Sequence, residues 1–247
     1  MSNQKQFVAT DEAKGQAKQL RLFAALLWIG AIVAQIFVIR FILKAVNAEE
    51  SILNVWTIGL VVLDLVLVLI GSMLWKKAGR LDPPSEKNKF LFLLQSQLGV
   101  VAAVVAFLPL IIFVLTNKNI DGKQKAIFGS IAGVAMLIAG LGSYDYNPPS
   151  IEKYTEQINS QTAEIEKLAG KDLVYWTPAG NKLHIYKDCQ HIRNSNVSDG
   201  SVEQAWQARK IDNNEICKTC ISKAEKGLEN NPSILEQAEE VLESVTQ

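Results

Sequence analysis

The chain is 247 residues long, 49% hydrophobic and formally neutral, with 25 Lys/Arg against 25 Asp/Glu. That neutrality is a cancellation: residues 1–125 carry 14 basic and 8 acidic side chains, whereas residues 126–247 carry 11 and 17. Four apolar runs fill most of the first 143 residues, which excludes a wholly soluble protein. The acidic balance of the second half argues against nucleic acid as a partner, because phosphates call for a basic face.

Residues 1–21 read as a cytoplasmic N-terminal segment preceding a transmembrane region over 22–143. The first apolar run, 22–43, has Arg40 as its single charge; the second, 52–75, has Asp64; the third, 90–116, has none. Each is long enough to cross a hydrocarbon core of about 30 Å, which takes about 20 helical residues. The first run has 22 residues, longer than the apolar core of a signal peptide, so an uncleaved span is expected despite the small residues of "VNA" at 46–48. The fourth run, 126–143, is shorter and rich in Gly and Ala. A buried soluble helix is its rival reading, but it follows three spans directly and has no soluble core to join, so it reads as a fourth span. Gly129, Gly133, Gly140 and Gly142 permit close helix approach there. Trp56 and Trp75 stand about 28 Å apart at the helical rise, a separation that suits two interfacial anchors.

Asp64 falls at the centre of the second run, where an ionised carboxylate costs several kcal/mol and an acid is a candidate for function. Arg40 lies too far from mid-span and is expected to reach outward. Gln35, closer in depth, is the better hydrogen-bond partner, with Gln95 and Gln97 as others. Asp64 therefore has two readings: a hydrogen-bonded acid joining helices, or the working residue of a small channel or proton-coupled transporter. The spans show no inverted repeat of the kind on which many transporters are built.

Basic residues set the orientation. The N-terminal segment and the second connection hold nine (Lys5, Lys14, Lys18, Arg21, Lys76, Lys77, Arg80, Lys87 and Lys89), the first and third connections four (Lys44, Lys118, Lys123 and Lys125). The bias predicts a multi-pass inner-membrane protein, embedded in the lipid bilayer, with both termini cytoplasmic.

After Pro148 and Pro149, residues 150–169 form a helical stalk in which Ile151, Ile158 and Ile165 recur at seven, with Tyr154, Gln161 and Leu168 between them. Two readings stay open: a short parallel coiled coil making a homo-oligomer, or one amphipathic helix packing on the module that follows. That module, 171–224, contains all three cysteines, Cys189, Cys217 and Cys220. A reducing cytoplasm disfavours disulfides, and three thiols with one imidazole make the ligand set of a closed structural zinc site. Cys217-x-x-Cys220 lets one turn supply two ligands. A thioredoxin-like redox pair would need a βαβ context that is missing, and a haem attachment would need histidine where Ile221 stands. The runs "LVYWT" and "KLHIY" flank a Pro/Gly turn and predict a hairpin, with His184 on its second strand. His184 precedes Cys189 by five positions; His191 follows it by two, a gap harder to close around one ion. His184 is thus the favoured fourth ligand and His191 the alternative. The tail, 232–246, reads as an amphipathic acidic helix with Ser233 and Glu236 in capping-box spacing.

Three stretches, "VYWTPAGNKLHIYKDCQHI", "DGSVEQA" and "ICKTC", together resemble the Ada-like metal-binding family of small zinc modules. That family shows Tyr-His-x4-Cys, a Gly-Ser/Thr-x-Glu-Glu-Ala helix and a terminal Cys-x-x-Cys. The resemblance covers about residues 173–222, with Leu183 in place of the usual aromatic residue. It implies zinc held by His184, Cys189, Cys217 and Cys220. The Ada domain itself uses four cysteines, one of them a methyl acceptor from DNA phosphotriesters; a ligand histidine and an acidic surround here imply the zinc fold without that chemistry. No nucleophile elbow, phosphate loop, His-Glu-x-x-His or catalytic carboxylate pair occurs, so no enzyme is expected. The expected protein is mainly α: a four-helix transmembrane bundle, a helical stalk and a small zinc-bound α+β module that binds or scaffolds a cytoplasmic protein. A membrane-anchored zinc or redox sensor is the further alternative.

Overall fold

The computed structural model describes residues 6–209 and 215–229. The chain divides into two compact units, one of residues 14–148 and the other of residues 1–13 with 149–247.

The first unit is helical. It comprises α1 (Asp11–Asn47, whose first turn belongs to the other unit), α2 (Val55–Leu81), α3 (Lys89–Ser96), α4 (Leu98–Thr116) and α5 (Gly122–Ser143). Helices α1, α2, α4 and α5 are long and apolar enough to cross a membrane. Their burial pattern fits that role. Val38, Val68, Phe107, Leu110 and Phe128 are wholly buried between helices, while Leu26, Ile36, Leu63, Ile112 and Leu141 face outward, an apolar exterior that lipid rather than water would cover.

Two boundaries differ from the sequence reading. Helix α1 begins eleven residues ahead of its apolar run, at Asp11, because Asp11 and Glu12 in its first turn complement the N-terminal end of the helix dipole. The third apolar run is not one helix. It breaks at Gln97 (φ −107°, ψ 17°) into α3 and α4, and no residue of α3 is buried. The cause is polar and distant: Gln97 Nε2 donates to the carbonyl of Asp145 at 2.9 Å, and its Oε1 accepts from Asp145 N at 3.1 Å. Of the two, only α4 is long and apolar enough to cross a membrane.

Helix starts are fixed by local chemistry. Asn54 and Thr57 form a reciprocal capping box at α2, and Asp121 accepts from the backbone of Lys123 and Gln124 at α5. Glycine sets the closest helix approaches. A Cβ on Gly71 would sit 2.6 Å from Trp28 Nε1, and one on Gly99 would sit 2.7 Å from Ser72 Oγ. In α5, Gly142 and Gly129 meet Leu69 and Leu115, whereas Gly133 and Gly140 face open space.

The second unit contains α6 (Ile151–Ala169), β1 (Val174–Trp176), β2 (Lys182–Leu183), β3 (Ser198–Gly200), α7 (Val202–Arg209), β4 (Glu215–Ile216) and α8 (Lys218–Glu229). Ser150 caps the start of α6, and Gly170 ends it in the left-handed conformation (φ 72°). The heptad face of α6 is covered within the chain. Tyr154, Ile158 and Ile165 are buried in one core with Trp176, Leu183, Trp206 and Ile216. Tyr154 and Trp206 stack edge-on at 5.2 Å, and Trp206 Nε1 donates to Gln161 Oε1 at 2.8 Å. Phe7 joins the same core, against Tyr154 at 5.2 Å, with its N–H on Thr155 Oγ1. The apolar face of α6 therefore meets the chain's own core.

The expected hairpin is reduced to a single antiparallel bridge, Tyr175 with His184, whose backbone bonds measure 2.7 and 2.8 Å. Strand β1 pairs antiparallel with β3, and β2 pairs parallel with β4. The tail helix expected at 232–246 lies outside the described residues.

Candidate metal centre

The short β2–β4 pairing assembles the centre. Leu183 aligns with Ile216, and Cys217 N donates to Leu183 O at 2.8 Å, so the residue after each strand, His184 and Cys217, arrives at the same end. Cys220 occupies the first turn of α8, with its N–H and that of Ile221 on the carbonyl of Cys217 at 2.9 and 3.0 Å. Cys189 sits in a tight turn whose carbonyl accepts from Ile192 N and Arg193 N at 2.9 and 3.0 Å.

One ligand atom from each of His184, Cys189, Cys217 and Cys220 lies within 4.8 Å of the other three, and all four side chains are buried. Cys220 Sγ is 3.7 Å from His184 Nδ1. A zinc tetrahedron with Zn–S of about 2.3 Å and Zn–N of about 2.0 Å has an S···N edge of about 3.5 Å, close to the observed separation. The three cysteines are unpaired thiols. The buried cluster could therefore hold a metal ion.

Thiol electrostatics separate the two cysteines of the Cys-x-x-Cys pair. Burial pushes Cys220 up to about 12, against the pull of the Tyr186 and Ile185 backbone N–H groups. At Cys217 burial pushes the same way but is outweighed by hydrogen bonds from the Cys220 and Thr219 backbone and from the Cys220 and Cys189 side chains. Its thiol falls below the ordinary value.

His191 is not among the four. It is exposed, its Nε2 lies 3.2 Å from Thr219 Oγ1, and its ring is 6.4 Å from that of His184. It borders the centre through the residue between the paired cysteines.

In the first unit, Asp64 is wholly buried and Gln35 is 5% exposed. The expected hydrogen bond between them is not made: both Asp64 oxygens and Gln35 Nε2 are buried without a partner. Gln97 is engaged with the Asp145 backbone instead, and Gln95 is exposed. Arg40 is exposed, as expected. Sequence reasoning passed over Trp28, whose buried indole N–H also has no partner; a tryptophan inside an apolar run gives no warning of that.

Comparison of the chain with protein-family models, with curated proteins and with solved structures returns no match.

Proposed function

We propose that the cluster is a structural zinc site, and that the protein is a membrane-anchored scaffold whose zinc-stabilised module faces the cytoplasm and binds a protein partner. The observation that carries this reading is that the four ligand atoms already lie within 4.8 Å of one another and are all buried. Three thiolates and an imidazole match the preference of zinc, and four protein ligands leave no open position for a substrate or an activated water. The centre is therefore stabilising rather than catalytic. His184 holds the ion, Cys189, Cys217 and Cys220 complete the tetrahedron, and metal binding contributes the folding energy that so small a core lacks. The resemblance of residues 173–222 to the Ada-like zinc modules supports the same assignment.

Packing supports the topology. Phe7 and Tyr154 share one core, which supports a topology with the segment before the first span and the module after the last on the same side of the bilayer. An even number of crossings satisfies this, and four helices qualify as spans. The basic bias names that side the cytoplasm.

The full chain, purified in detergent, is expected to carry one zinc ion per chain by elemental analysis and to lose it in Cys217→Ala. Metal-free protein with an intact fold would refute the zinc assignment. For the scaffold role, co-purification from membranes with and without residues 171–247 should yield a partner that depends on the module. An identical set of co-purifying proteins from both would refute it.

A further inference from the structure

The metal centre leaves the interior of the membrane unit unexplained. Asp64 is 0% exposed, and neither carboxylate oxygen has a hydrogen-bond partner. Two contacts fix the register of α1 against α2: the Cβ position of Gly30 lies 3.7 Å from Leu67, and that of Gly71 lies 2.6 Å from Trp28. Because the helices run antiparallel, continuing seven residues along α1 from Trp28 and seven back along α2 from Gly71 brings Gln35 and Asp64 to about the same depth. The amide nitrogen of Gln35 is likewise buried and unpartnered. Two polar side chains on facing helices thus share one level of the bundle, with both Asp64 oxygens and the Gln35 amide nitrogen unpartnered.

A bare carboxylate there is untenable, since charge is expelled from such surroundings by several kcal/mol or more unless neutralised. Nothing within the unit neutralises it. Helix α4 has no ionisable side chain, and α5 has none after Lys125. Helix α2 has no other until Lys76. On α1 the nearest is Arg40, which is exposed. One negative charge with no internal counterpart requires one positive charge from outside the protein. A divalent ion would overcompensate, leaving a net charge in the same apolar surroundings.

We propose that Asp64 and Gln35 form an intramembrane site for a single exchangeable monovalent cation, a proton or a sodium-sized ion, with Asp64 supplying the charge and Gln35 a dipole at the same depth. The inner face of α2 carries Thr57, Asp64 and Ser72 at intervals of seven and eight residues. Ser72 is hydrogen-bonded to Ser143 of α5 at 2.8 Å, and the unpartnered Trp28 indole lies near the same level, beside Gly71. Thr57 and Ser72 thus flank Asp64 on the same buried face of α2, with Val68 between Asp64 and Ser72.

Infrared difference spectroscopy of the full chain in liposomes tests this. A carboxylic-acid carbonyl band is expected in the absence of sodium and missing in Asp64→Asn, with a shift on transfer to heavy water. If that variant does not fold, carbon-13 labelling of aspartate carboxyls in the unaltered chain makes the assignment. Loss of the band on adding sodium at constant pH identifies the sodium-sized ion. Loss only on raising the pH from about 5 to about 10 identifies the proton. A band that neither sodium, pH nor heavy water alters would make Asp64 a sealed structural acid and overturn the proposal. So would the absence of any such band, which would make it a permanent carboxylate.

Discussion

Acidification should weaken metal binding, and the size of the effect follows from one thiol. Burial holds Cys220 at about 12, so in the metal-free fold it keeps its proton throughout the neutral range. Coordination requires the thiolate, so every metal ion bound expels at least that proton. One proton released per ion makes apparent affinity fall about tenfold for each pH unit lost, about 100-fold from pH 8 to pH 6, or about 2.7 kcal/mol at constant free metal. The sign follows from the direction of the shift. A raised value favours the protonated, metal-free fold fully below the thiol's ordinary value of 9.0, and this preference fades as pH rises towards 12. Metal binding runs the opposite way and strengthens with pH. Cys217, already held below its ordinary value, contributes less at the alkaline end. Competition against a chromophoric zinc chelator, measured at a series of pH values on the detergent-solubilised chain, gives the slope directly. An affinity that stays level across this range, or improves in acid, would mean that no thiol proton leaves and that Cys220 is not a ligand.

Other consequences concern packing. Ile165 is wholly buried beneath α6, so Ile165→Ala should destabilise the module by about 2–5 kcal/mol in denaturant unfolding followed through tryptophan fluorescence; a negligible change would mean that α6 is not docked there. Gly170→Ala, at φ 72°, should cost about 1 kcal/mol in the same assay through left-handed strain alone. In the bundle, Gly99→Ala would place a methyl 2.7 Å from Ser72 Oγ and should lower resistance to unfolding in SDS by about 1–3 kcal/mol. Gly133→Ala meets nothing within 4 Å and should leave that resistance unchanged, so equal effects at the two positions would contradict the packing described.

The spans were legible because a bilayer imposes a length rule that acts on each helix separately: residues 22–43 or 52–75 announce themselves whatever they touch. Where a distant contact intervened, the rule misled. Residues 90–116 read as one helix, yet Gln97 breaks it by binding the Asp145 backbone, 48 positions away. The stalk shows the same division. The seven-residue spacing of Ile151, Ile158 and Ile165 declares a helix with one apolar face but does not say whether that face meets a second copy or the chain's own Trp206.

The amino-acid sequence by itself determined which atoms could meet a metal. Cysteine and histidine are the soft donors available, and a Cys-x-x-Cys turn places two of them within reach of one ion through local geometry alone. Tertiary structure decided which histidine joins them and whether Asp64 finds a partner. Both depend on register between segments far apart in the chain: β2 against β4 brings His184 beside Cys217, and α1 against α2 sets Gln35 level with Asp64 without a bond between them. Local spacing carries no information about such pairings, because they are fixed by the packing of side chains that are neighbours only once the chain has folded.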